Sequence, residues 1–219
     1  MKNFRKVSSA AIAVLLAGTA SAQSVPGPYV AVEAGSDMPQ DSGLDVDGNL
    51  GGNHSVNHAT SRWANAWGAD IAGGWKWGFG LRTEAEISFR SQGVMSFSGR
   101  PWNGTQWDNS FMINALYDIP TGTAFTPYIG VGIGGTHLAW LNNFRPAGVN
   151  VNYDAGDLQF GYQGIVGVSY AITPHVDALL DFRIKGANGF TFPASIAGIA
   201  VKNFDYETES LFVGVRYTF

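Results

Sequence analysis

The chain has no cysteine. Disulfides therefore contribute nothing to its stability, and a lipid anchor at a cleavage-site cysteine is excluded. After residue 22 it also lacks any apolar run of the ~18 or more residues that a membrane-spanning helix needs. Charge is sparse, at 14% of residues, and positive charge is the scarcer sign, with 13 lysines and arginines against 17 acids. A basic face for nucleic acid is not available from such a balance, so no nucleic-acid partner is expected.

What is present begins with a leader. Lys2, Arg5 and Lys6 precede the apolar stretch "AAIAVLLAG", and "TASAQ" supplies Ala20 and Ala22 as a cleavage site. This is the pattern of a secretory signal peptide, so residues 1–22 are expected to be removed and 23–219 to form the mature domain. The three leader cations are part of a formal charge of −4, so the remainder carries −7.

Glycine is abundant, at 29 of 219 residues, and aromatics reach 13%. This composition suits closed β-structure. Short stretches of strict alternation recur at about 29–35, 63–75, 81–90, 107–117, 127–140, 160–172, 176–186 and 210–219. In "LRTEAEISFR", Leu81, Thr83, Ala85, Ile87 and Phe89 oppose Arg82, Glu84, Glu86, Ser88 and Arg90. In "VDALLDFRIKG", Val176, Ala178, Leu180, Phe182 and Ile184 oppose Asp177, Asp181, Arg183 and Lys185. One face is almost uncharged. The other gathers glycine, small polar residues and most mid-strand charges.

A secreted all-β chain has two main solutions, a soluble sandwich or an outer-membrane barrel. Connection lengths decide between them. Long stretches at about 37–62, 92–106, 141–158 and 187–204 alternate with short ones near 76–80, 118–126 and 173–175. Barrels have short periplasmic turns and longer external loops, and a sandwich has no reason for this alternation. Aromatics fall at both borders: Trp75, Trp77, Tyr117, Tyr128, Tyr170, Tyr217 and Phe219 near the short turns, and Trp63, Trp67, Trp107, Trp140 and Phe160 near the long loops. Two interfacial girdles follow. The expectation is an eight-stranded antiparallel transmembrane β-barrel in a Gram-negative outer membrane, with loops extracellular and termini periplasmic.

The stretches "PYIGVGIGG", "FGYQGIVGVSYAITPHVDALLDFR" and "LFVGVRYTF" carry a resemblance over about residues 23–219. They resemble the small outer-membrane barrels of the OmpA/OmpX and Opa type, including the surface-antigen porin-like group. The resemblance implies that Gly214, Tyr217 and Phe219 form an assembly signal read by the barrel assembly machinery. Phe212 stands where the family usually has a polar residue. Lipid and lipopolysaccharide are the implied surroundings, and a host or cell-surface ligand at the loops the implied partner.

The inward face should carry Glu33, Asp70, Glu84, Glu86, Asp177 and Asp181 against Arg82, Arg183, Lys185 and Arg216. An eight-stranded barrel has room inside only for side chains, so these opposite charges are expected to fill the lumen as an ion-pair network. The alternative is a narrow porin-like channel for small solutes or ions, lined by the same groups. No enzyme is expected and no cofactor is implied. His137 has Ala139, not serine, two residues on, which removes a lipid deacylase pair. Asp37, Asp41, Asp45 and Asp47 with His54 and His58 in the first loop read as a mobile polar loop and not as a metal site. "DVDGN" lacks the closing glutamate of a calcium loop, since position 56 is Val. The apolar "GFTFPASIAGIAV" fits either a rim in which Phe190, Phe192 and Ile196 fold onto the barrel, or a contact surface.

Overall fold

The computed structural model describes residues 25–40, 42–49, 54–64, 66–97, 100–144, 151–192 and 199–219. The expected signal peptide lies outside these residues, as do Asp41 and Ile196.

The described residues form ten strands: β1 (Gly27–Pro39), β2 (Ser42–Asn49), β3 (His54–Trp63), β4 (Ala66–Lys76), β5 (Leu81–Phe97), β6 (Arg100–Asp118), β7 (Phe125–Phe144), β8 (Val151–Ala171), β9 (Val176–Phe192) and β10 (Ile199–Thr218). Eight of them, β1 and β4–β10, close a cylinder in which every neighbouring pair is antiparallel. Closure satisfies the backbone groups that an open sheet edge would leave bare in lipid. The closing seam joins the first and last strands, with Val32 opposite Val215 and Val30 opposite Tyr217. At the chain end the Phe219 N–H donates to the Pro28 carbonyl at 2.9 Å.

The remaining strands correct the reading of the first loop. β2 and β3 pair as a hairpin that stands on the wall, with β2 against Ile199–Lys202 of β10 and β3 against β5 near Val94–Phe97. Where β1 and β4 stop, this hairpin takes their place in the ring. Asp37 does not belong to it, because β1 runs on to Pro39. The side chains of Asp45, Asp47, His54 and His58 lie outside the described residues.

The long connections are also shorter than expected. β5 and β6 leave only 98–99 between them, β7 and β8 leave 145–150, and β9 and β10 leave 193–198. The strands continue past the membrane band, where both faces are wet and the apolar alternation that marks a strand in the sequence fades. The short turns lie near the expected positions. Gly80 in "KWGFG" has φ +93°, a conformation that other residues adopt only with strain.

Alternation sets the faces. Val131, Ile133, Val213 and Phe111 point outward and are 51–67% exposed. Water would not tolerate so continuous an apolar band, whereas lipid matches it. Trp75, Trp77, Tyr117, Tyr170, Tyr217 and Phe219 ring the short-turn border, and Trp67, Trp107 and Phe160 the other. Tyr128 does not join the girdle. It neighbours the outward Ile129, so the period of two turns it into the lumen, where it is 2% exposed. Phe190 also turns inward. It packs on Phe204 with ring centres 6.2 Å apart, both fully buried, as β9 and β10 extend beyond the band.

One ladder ends early. β8 and β9 pair only from Ala171–Asp177 to Gly161–Ala187, while β7–β8 pairing continues to Phe144–Val151. Beyond that point the Asp157 carboxylate accepts the Thr191 backbone N–H at 2.8 Å and a Gln159 amide N–H at 2.9 Å. A side chain thus replaces part of the missing ladder.

Candidate functional site

The lumen is the place where this chain concentrates chemistry. Successive inward positions along the strands stack charged side chains in three tiers. The ten residues named from the sequence, Glu33, Asp70, Arg82, Glu84, Glu86, Asp177, Asp181, Arg183, Lys185 and Arg216, all lie there and are buried. Asp37, Arg90, Asp108 and Asp118 join them. Arg90 and Asp108 follow from the same alternation as their neighbours. Asp37 and Asp118 look like loop residues until the strand ends are known.

At the short-turn end, Arg82 Nε donates to Asp118 Oδ1 at 2.8 Å. Its guanidinium lies over the Tyr128 ring, 4.7 Å from the centroid. Tyr29 donates its hydroxyl to Glu84 at 2.5 Å. Arg216 donates from Nε and Nη2 to Asp177 Oδ2 at 3.0 and 2.8 Å. Lys76 approaches Asp118 at 3.6 Å.

The middle tier is built on Arg183. Nη2 reaches Glu33 at 2.7 Å, Nη1 reaches Glu86 at 2.6 Å and Asp70 at 3.0 Å, and Nε reaches Asp181 at 3.0 Å. These partners come from β1, β4, β5 and β9, so one side chain ties four strands across the barrel. Asn114 from β6 donates to both Glu84 and Glu86 at 2.9 Å, and Gln163 from β8 to Glu86 at 3.1 Å. Inward glycines make room. A Cβ on Gly132 would lie 2.0 Å from Asn114 Oδ1, and one on Gly214 2.4 Å from Glu33 Cγ.

Toward the long loops, Arg90 bonds Asp37 at 3.1 Å and reaches Asp70 at 3.4 Å. Lys185 pairs with Asp108 and donates to Ser110 at 3.0 Å, and Ser210 donates to Asp37. Phe212 lies within cation–π reach of two guanidiniums. The centres of Arg90 and Arg183 lie 5.2 and 5.5 Å from its ring centroid, a cation–π arrangement. None of the fourteen lumenal residues named here as buried exposes more than 7% of its surface, so side chains fill the bore at each tier. Its carboxylates face other side chains and offer no open cleft.

A family model for the outer membrane protein β-barrel domain matches residues 7–219. Over the whole length of both chains the sequence is 28% identical to outer membrane protein PagN of Salmonella typhimurium. Among solved structures, the outer membrane protein OprG of Pseudomonas aeruginosa superposes with a TM-score of 0.62 at 14% identity, covering 90% of this chain and 98% of that one. Neisserial surface protein A superposes at 0.53 with 20% identity, covering 88% and 97%. At such identities the two structures speak for the fold alone.

Proposed function

This chain belongs to the outer membrane protein β-barrel family, and we propose that it acts there as a rigid scaffold for surface interaction, with its long-loop end outside the cell and its termini in the periplasm. One observation carries the reading: the ion pairs of the lumen link strands across the bore in three tiers, and fourteen of its charged residues each expose no more than 7% of their surface. Such a bore holds its wall in shape and does not serve as a water-filled path. The work then falls to the crown, where β5–β6, β7–β8 and the β2–β3 hairpin rise beyond the aromatic border. Its partners are lipopolysaccharide around the wall and a host or cell-surface ligand at the top. The kinship with PagN, an outer membrane protein by name, supports the location. No catalytic role is proposed.

The end of the chain supports a second part of the reading. Gly214, Tyr217 and Phe219 serve as the signal for the assembly machinery, which recognises an extended strand through its backbone and alternate side chains. Tyr217 and Phe219 present exposed rings on one face, 5.1 Å apart edge to face.

The test of the scaffold is conductance. Purified barrel is refolded and inserted into a planar bilayer. Silence at physiological salt is expected. Steady ion conductance overturns the sealed lumen and installs the narrow pore in its place.

A further inference from the structure

The long-loop end of the lumen holds polar groups that the protein itself does not pair. Among the described residues, nine buried side-chain atoms there have no hydrogen-bond partner: Asp37 Oδ2, Asp70 Oδ1, Arg90 Nη1, the Tyr206 hydroxyl, Thr208 Oγ1, and both amide atoms of Gln92 and of Gln106. The residues that carry them are at most 2% exposed. Two of these atoms are carboxylate oxygens and one belongs to a guanidinium, and charged groups are the costliest to leave buried and unpaired. Nine such atoms left dry would together cost more than the folding of a domain returns.

The ion pairs and the strand register bring these groups to one height. Arg90 bonds Asp37, Lys185 pairs with Asp108, and Ser210 donates to Asp37. Arg90 faces Asp108 across the β5–β6 ladder, and Lys185 faces Thr208 across β9–β10. One inward position beyond Arg90 and Asp108 stand Gln92 and Gln106, opposite each other in register. Neither amide bonds the other. Toward the long loops, the next buried residues of β9 and β10 after Ala187 and Tyr206 are Phe190 and Phe204. They too are opposite each other, with ring centres 6.2 Å apart.

We propose that the long-loop end of the lumen is a closed chamber that binds a cluster of ordered water molecules, floored by Asp37, Asp70 and Arg90 and roofed by the Phe190–Phe204 pair. Water is the ligand that fits this set of groups. Two amides, two hydroxyls, two carboxylate oxygens and one guanidinium nitrogen mix donors with acceptors. A small molecule that both donates and accepts satisfies either kind, and buried water commonly makes two to four such bonds. An anion there would meet two carboxylates, and a metal ion would meet a guanidinium. The two rings above act on the chamber as an apolar constriction acts in a channel, and slow the exchange of its water with the outside.

The middle tier supplies the contrast. The Asn114 side-chain nitrogen donates to Glu84 and Glu86, and its oxygen accepts from Gln163. That amide is satisfied by protein on both sides. Gln92 and Gln106 are the same chemical group, equally buried, with neither side satisfied. Burial alone therefore predicts the same behaviour for all three amides, and the chamber predicts that two of them touch water.

The experiment is solid-state NMR of the refolded full-length barrel, labelled with nitrogen-15, in lipid vesicles, with magnetisation started on water. The side-chain amides of Gln92 and Gln106 should receive it at short mixing times, and that of Asn114 should not. After transfer into heavy water, the Gln92 and Gln106 amides should exchange slowly in the unaltered barrel and several-fold faster in Phe204→Ala. In Phe204→Leu, which keeps an apolar roof, exchange should stay slow. Gln92 and Gln106 amides as dry as that of Asn114 overturn the chamber. An Asn114 amide as wet as theirs overturns its closure from below, and exchange unchanged in Phe204→Ala overturns the roof. The water measurement uses the unaltered protein and decides the matter even where a variant fails to fold. The chamber and the scaffold fail separately: conductance overturns the scaffold, and dry glutamine amides overturn the chamber.

Discussion

Arg183→Met should be the most damaging single change in the lumen. Methionine occupies similar space but removes four hydrogen bonds and one further ion-pair contact, to four carboxyl groups in all, at 2.6 to 3.1 Å. Breaking a buried ion pair from one side costs about 3–5 kcal/mol, because the charge left behind is uncompensated. The loss has a ceiling, since the tier can recover its balance by binding one more proton. A carboxyl with an ordinary affinity near pH 4 takes up a proton at pH 7 for about 4 kcal/mol, at about 1.4 kcal/mol per pH unit. Both routes give about 4 kcal/mol at neutral pH. The second adds a sign. The variant binds an extra proton on folding, so its deficit should shrink by about 1.4 kcal/mol for each unit of acidification toward pH 5. Urea unfolding in lipid vesicles measures this, with fluorescence of the outward Trp67, Trp75, Trp77 and Trp107 as the signal. A deficit below about 1 kcal/mol at pH 7, or one that does not change with pH, would refute the reasoning and mean that water already screens Arg183.

Three further outcomes follow from the same geometry. Gly132→Ala should destabilise by about 1–3 kcal/mol, because its Cβ displaces Asn114 from Glu84 and Glu86; Gly164→Ala on the lipid face, with nothing within 4 Å, should stay within about 0.5 kcal/mol, and equal effects in urea unfolding would refute the lumenal packing. Asp157→Ala should lower the hydrogen-exchange protection of the Thr191 amide while leaving Ala187 protected. In the unaltered chain burial raises the Asp157 carboxyl, but the Thr191 and Leu158 backbone N–H groups and the Gln159 amide lower it further, so that it lies below the usual aspartate range; the contact should persist through neutral pH and be lost only as pH falls through that lowered value, and protection lost already at pH 6 would contradict it. Removal of Phe219 should lower the folded barrel recovered in the outer membrane far more than it lowers synthesis, while the purified variant still refolds in detergent. Cell fractionation with surface proteolysis checks this, and wild-type surface levels would leave the terminal aromatic as an interfacial anchor only.

The barrel was legible because lipid imposes a period of two on every strand that crosses it. Ile129, Val131 and Ile133 against Gly130, Gly132 and Gly134 can be sorted by eye, and the structure sorts them the same way. Tyr128 was legible too, as the neighbour of Ile129; assigning it to the girdle puts residue type ahead of period. Asp37 was not legible. It follows the last apolar residues of its strand and precedes a run of Asp, Gly and Asn, and only its pairing with Ser210 shows that the strand continues. The β2–β3 hairpin escaped notice for the same reason, since beyond the membrane neither face must be apolar. Phe212 breaks the polar pattern of its face, and the reason lies on other strands: the guanidiniums of Arg90 on β5 and Arg183 on β9 both lie over its ring.

The distribution of charge argues for which end does the recognition. Of the seventeen acids in the chain, nine are buried in the lumen. The other eight are Asp41, Asp45, Asp47, Asp154, Asp157, Asp205, Glu207 and Glu209, and by sequence all belong to the long-loop end. Four bases join them there, Arg62, Arg100, Arg145 and Lys202. The turns at the other end, "WGFG", "IPTGTA" and "ITPH", carry no acid, lysine or arginine. Apart from the bore residues and Lys76 at the short-turn end of β4, then, every formal side-chain charge after the leader belongs by sequence to the long-loop rim, and the balance there is net acidic by four. A ligand that meets the protein at this rim meets a field that salt screens over about 8 Å at physiological ionic strength. Charge there steers encounter more than it strengthens the final contact. Neutralising Asp205, Glu207 and Glu209 together should therefore change the association rate of a charged partner and its salt dependence, with little effect on dissociation. The proposed scaffold makes that separation possible, because the ion pairs that hold the wall are made by other residues.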